Sequence, residues 1–84
     1  MPVIARFYGL IIKMFLLGKE HNPPHIHISY GEFNALFDIT TLEFIEGDLP
    51  PRAENLVKEW AALHQTELLE MWETQKFQTL DPLR

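Results

Sequence analysis

Two proline pairs, Pro23-Pro24 and Pro50-Pro51, partition this chain more firmly than any other feature. Proline has no backbone N–H and a fixed φ, so neither pair can lie inside a strand ladder or a helix interior. Three segments result. The first is rich in β-branched and aromatic residues, the second alternates apolar and polar, and the third carries apolar residues at helical spacing. Strands followed by one helix define an α+β class, and 84 residues leave room for one domain. The expected domain spans 1–84, with strands over about 2–46 and a helical region over about 50–76. A composition of 46% hydrophobic and 23% charged residues is that of a globular chain.

In the first segment, Pro2 to Tyr8 and Leu10 to Leu17 predict two strands joined at Gly9. Leu10, Ile12, Met14 and Leu16 alternate with Ile11, Phe15 and Leu17, which predicts a central strand covered on both faces. After the proline loop, His25, His27 and Ser29 share one face of a strand, with Ile26, Ile28 and Tyr30 on the other. Phe33 to Ile39 and Thr41 to Glu46 predict two further strands, so the simplest sheet is an antiparallel meander of four to five strands. Asp48 is the candidate helix cap, with the prolines in the first turn. Ala53, Leu56, Val57, Trp60, Leu63, Leu68 and Met71 fall on one helical face. A continuous helix of this length would be on the order of 40 Å long against strands of about 20 Å, which predicts a kink near Gln65-Thr66 or an overhang used for association. Leu80 to Arg84 reads as a tail.

Charge is unevenly distributed. Residues 1–31 hold three basic groups against one acidic, a net of +2, while residues 32–84 hold four against eleven, a net of −7. Only the first segment suits a phosphate backbone, and the acidic remainder suits a basic protein partner. The absence of cysteine excludes disulfides and thiolate metal sites. Lys13 interrupts the apolar run and no small-residue cleavage site follows it, so no leader or membrane span is read and a cytoplasmic location is expected.

Three of the four histidines lie within seven residues: His21-Asn-Pro-Pro-His25-Ile-His27. An i, i+2 pair on a strand projects two imidazoles side by side about 7 Å apart along the backbone, within reach of one ion. His21, brought back by the proline pair, would complete a ligand set of His21, His25 and His27 for a divalent metal such as zinc, with an open fourth position. Without metal, His25 and His27 could divide the general base and general acid roles of phosphodiester cleavage. A third reading makes them a solvated strand face that closes the loop. On the helix, His64 and Glu67 lie within about 40° of the centre of the apolar face and three residues apart, so they can hydrogen-bond each other. They are either a satisfied core pair or an extension of the His25/His27 site. Packing of the helix on the Ile26/Ile28 face would keep the two groups apart. Trp60 and Trp72 read as core or interface anchors, and Leu69 lies on the polar side. Phosphate-binding glycine loops and serine nucleophile motifs are absent.

The run Glu20-His21-Asn22-Pro23-Pro24-His25-Ile26-His27, followed by Glu46-Gly47-Asp48-Leu49-Pro50 and by Trp60, His64, Glu67, Leu68 and Trp72, resembles a small prokaryotic family called domain of unknown function 4160. The resemblance covers nearly the whole chain and is most specific at His-Asn-Pro-Pro-His-x-His. It implies a β-sheet with a C-terminal helix, encoded beside another small domain in a layout similar to toxin–antitoxin pairs. One departure is the segment Leu16 to Lys19, where family members tend to be more polar.

The expected function follows: a cytosolic component of a toxin–antitoxin-like pair whose histidine cluster binds RNA or cleaves its phosphodiester bonds, by histidine or metal-assisted chemistry. Its expected partners are a small protein encoded nearby, RNA, and a second copy of the chain. The alternative is a non-enzymatic interaction domain whose histidines are structural and whose acidic helix docks a partner.

Overall fold

The computed structural model describes residues 2–15 and 23–83. Five strands form one antiparallel sheet in chain order: β1 (Val3–Phe7), β2 (Leu10–Lys13), β3 (His25–Tyr30), β4 (Phe33–Asp38) and β5 (Glu43–Gly47). A single helix, α1 (Pro51–Thr74), follows. Tyr8 and Gly9 both have positive φ, 48° and 84°, the pair of conformations that matches a two-residue hairpin to the right-handed strand twist. The third strand has the limits its alternation predicts. The second is shorter than the apolar run suggests, because pairing with β1 and β3 ends at Lys13. Leu16 and Leu17 lie outside the described residues.

The helix packs on the sheet face formed by Leu10, Ile12, Ile26, Ile28, Ala35 and Phe37, all buried. Its own buried stripe is Ala53, Val57, Trp60, Ala61, Leu68, Met71 and Trp72. This differs from the predicted face. Trp72 and Ala61 draw the stripe about 40° around the helix from the predicted centre, and that rotation turns Leu63 outward to 68% exposure. Leu69 is half-buried against the core. One helix covers one face, so Ile11, Lys13 and Phe15 on the other side of the second strand are half-buried and not enclosed as expected.

The helix is uninterrupted through Gln65-Thr66, where a kink was predicted. Gln65 instead lies against the end of the fourth strand, its Nε2 donating to the carbonyls of Ile39 and Thr40 at 2.9 and 3.2 Å. The helix end does not overhang, since Leu68, Met71 and Trp72 are buried there. Asp48 is not the cap: Pro50 occupies the N-cap position without a side-chain bond, and Gln75 closes the other end in the left-handed conformation with its N–H on the carbonyl of Met71. The segment after the helix folds back along β1. Leu80 is buried and its N–H donates to the carbonyl of Ile4 at 2.7 Å, while Trp60 Nε1 donates to the carbonyl of Asp81 at 2.8 Å. No described helix is long and apolar enough to cross a membrane.

Gly47 closes the last strand with φ of 86°, and a Cβ placed there would lie 2.2 Å from the carbonyl oxygen of Asn34. Both the left-handed backbone and the contact demand glycine. Gly47→Ala should therefore lower the thermal midpoint by about 10 °C or more, given a cost of at least about 1–2 kcal/mol. A midpoint unchanged in differential scanning calorimetry would contradict this packing.

Candidate functional site on the helix-free sheet face

Antiparallel register arranges the uncovered face as a grid. Lys13 pairs with His27, His27 with Leu36, and Leu36 with Glu46, so these four side chains cross four strands in one row. A second row runs through Ile11, Ser29 and Asn34. Lys13, Phe15, His27, Ser29, Asn34, Leu36, Glu46 and Gly47 line a cleft of about 320 Å³ over the middle of the sheet. Ser29 Oγ donates to Asn34 Oδ1 at 3.2 Å, which leaves the amide hydrogens of Asn34 as donors. The basic residues Arg6 and Lys13 are on the first two strands, and the acidic Asp38, Glu43 and Glu46 are on the last two. The histidine strand divides them.

The two strand histidines have different surroundings. His27 is half-buried and lines the cleft, its ring edge-on to Phe15 at 4.2 Å between centroids. His25 is 8% exposed. It is packed between His27 at 5.2 Å and Trp72 of the helix at 5.0 Å. Its Nδ1 lies 2.8 Å from the carbonyl of Pro23. A carbonyl only accepts, so Nδ1 carries a proton and donates it. The proline pair thus orients a histidine through its first carbonyl. Phe15, His27, His25 and Trp72 form a continuous row of rings from the cleft to the end of the helix.

A separation of 5.2 Å also suits two imidazoles sharing one tetrahedral zinc, since an ion–centroid distance of about 3.2 Å on each side gives about 5.2 Å between centroids. Among the described residues no group of three or more His, Asp or Glu is placed to hold a metal ion. His21, the third residue of the predicted ligand set, lies outside the described residues.

His64 and Glu67 are brought together with each other, His64 Nδ1 donating to Glu67 Oε1 at 2.7 Å. The His64 ring packs on Trp60 at 5.1 Å. Neither residue lines the cleft. The expectation that both are buried holds only in part: the His64 side chain is 15% exposed and that of Glu67 is 48% exposed. The same rotation of the stripe that exposes Leu63 carries Glu67 to its border. Sequence reasoning missed Asn34 and Glu46 as cleft residues, because only register brings them beside His27. Lys13, a lone cation in an apolar run, was the visible signal.

Residues 9–73 match the family Domain of unknown function (DUF4160). The chain belongs to that family. The DUF4160 match begins at the first hairpin and ends within the last turn of the helix, so it contains every strand from β2 onward and the whole cleft. Comparison with curated proteins and with solved structures gives no match.

Because His25 is enclosed by Trp72 and His27, His25→Ala should destabilise the domain by about 2 kcal/mol, whereas His27→Ala, at the cleft wall, should cost under about 1 kcal/mol. Urea denaturation of the two variants distinguishes them, and equal losses would contradict the division of roles.

Proposed function

We propose that this DUF4160 domain is one component of a toxin–antitoxin-like pair and that its helix-free sheet face binds RNA, with His27 as the group that meets the phosphodiester. The observation that carries this reading is the cleft itself, in which an imidazole stands between a lysine and a carboxylate on an open sheet with an aromatic ring beside it. Single-stranded RNA is recognised on open sheets by ring stacking and backbone charge, and an imidazole at the phosphate is the usual proton carrier of its cleavage. In this reading His25 is a positioning residue: it holds the His27 ring and is itself oriented by Pro23. The local charge supports it, since Arg6 and Lys13 give this side a positive edge although the chain is acidic overall. The toxin–antitoxin part rests on the family resemblance and on the acidic helix, where exposed Glu59 and Glu67 flank Leu63 and exposed Glu70 and Glu73 follow toward the C-terminal end, which suits a basic protein partner.

The separation of the two imidazoles favours a second, metal-assisted version of the same site, in which His25 and His27 with His21 hold a divalent ion such as zinc. The non-enzymatic alternative keeps only the acidic helix and makes the histidines structural.

Two measurements separate these readings. His27→Gln with Lys13→Gln should abolish growth inhibition on induction and weaken binding to a single-stranded oligoribonucleotide at least about 10-fold while the thermal midpoint stays within about 3 °C. A folded double variant that remains toxic and binds RNA equally removes the histidine site and leaves the interaction domain. Zinc added to protein purified without a histidine tag should raise the thermal midpoint if the metal-assisted version holds, and no shift at saturating zinc removes it.

A further inference from the structure

Resting on the RNA-binding reading, we infer that the cleft holds one nucleotide unit and selects guanine, with the phosphate at Lys13 and the Watson–Crick edge of the base at Asn34 and Glu46. The row Lys13, His27, Leu36, Glu46 crosses four strands, about 14 Å at the usual strand spacing. This is a reach that a single nucleoside monophosphate laid across the strands can fill. The volume of about 320 Å³ is that of a small-ligand site and leaves no room for a duplex. The order of chemistry along the row matches the order of groups in a nucleotide. A cation stands at one end for the phosphate, an imidazole comes next where the ribose and its 2′-hydroxyl lie, then an aliphatic floor for the base, and a carboxylate closes the far end.

The selection follows from hydrogen-bond inventory. A carboxylate only accepts, and guanine alone among the four bases presents two adjacent donors on its Watson–Crick edge, N1–H and N2–H₂. Uracil offers one donor flanked by two carbonyl oxygens that the carboxylate repels. Asn34 lines the same cleft as Glu46, and with its amide oxygen engaged by Ser29 its amide hydrogens are the donors left for guanine O6. The cleft thus offers guanine a donor for O6 together with an acceptor for N1–H and N2–H₂. Gly47 extends the lining next to Glu46 and presents no side chain that would cover the carboxylate.

Isothermal titration of the intact protein with guanosine 3′-monophosphate, uridine 3′-monophosphate and inorganic phosphate tests this, alongside an oligoribonucleotide of mixed sequence. The guanine nucleotide should bind about 10- to 100-fold more tightly than the uridine nucleotide, the range expected for one paired base contact. Glu46→Gln, at an exposed position, should remove that preference with the thermal midpoint unchanged, and Lys13→Gln should weaken both nucleotides alike. Equal affinity for the two nucleotides, guanine binding no tighter than phosphate alone, or a preference that survives in Glu46→Gln would overturn the inference. If the oligoribonucleotide binds without guanine preference, base selection fails and RNA binding stands. If it does not bind, both fail.

Discussion

A five-stranded sheet has two faces, and the described residues supply one helix. That constraint organises the whole molecule. The apolar stripe from Ala53 to Trp72 takes the Ile26/Ile28 side, and among the described residues no second helix covers the other. Burial of that first face is the dominant stabilising term, with Trp60, Phe37, Leu10, Ile12, Ile26, Ile28 and Leu68 all below 2% exposure on the two facing surfaces. Apart from Trp72, the residues that hold the histidine strand in place pack on the face opposite the cleft. Alternation does the rest, since each isoleucine anchored inward turns its neighbouring histidine outward.

The exception to that alternation is His25, which belongs to the open face yet is buried. Trp72, near the end of the helix, closes over it, and the carbonyl of Pro23 holds its ring. The proline pair therefore has two roles, separating the second strand from the third and supplying the acceptor for the His25 Nδ1 proton. Helix, loop and strand meet at this one ring. That ring in turn packs directly on His27.

Much of this was legible in the residues alone. The histidine strand, the sheet order and the single C-terminal helix follow from alternation, turn glycines and the proline pairs. The misreadings share one cause. A helical wheel built on Leu56 and Leu63 is biased away from Ala61 and Trp72, and an error of about 40° is enough to place Leu63 and Glu67 inside when they belong outside. Asn34 and Glu46 could not be found by spacing, because their proximity to His27 depends on cross-strand register and on the bulge between Leu36 and Phe37. The kink at Gln65 was the wrong answer to a real question, for that residue does mark where the helix is tied to the end of the fourth strand.

The clasp between Leu80 and Ile4 joins positions almost the full length of the chain apart. Every other pairing in the sheet is between consecutive strands, local in sequence and rapid to close. Folding should accordingly start in the hairpins and finish with the tail, whose contact requires the largest loop closure in the molecule. Once made, it lays the segment around Leu80 beside Ile4 along β1. A covalent link made across that clasp would hold the contact in the unfolded chain as well and so remove the cost of its closure.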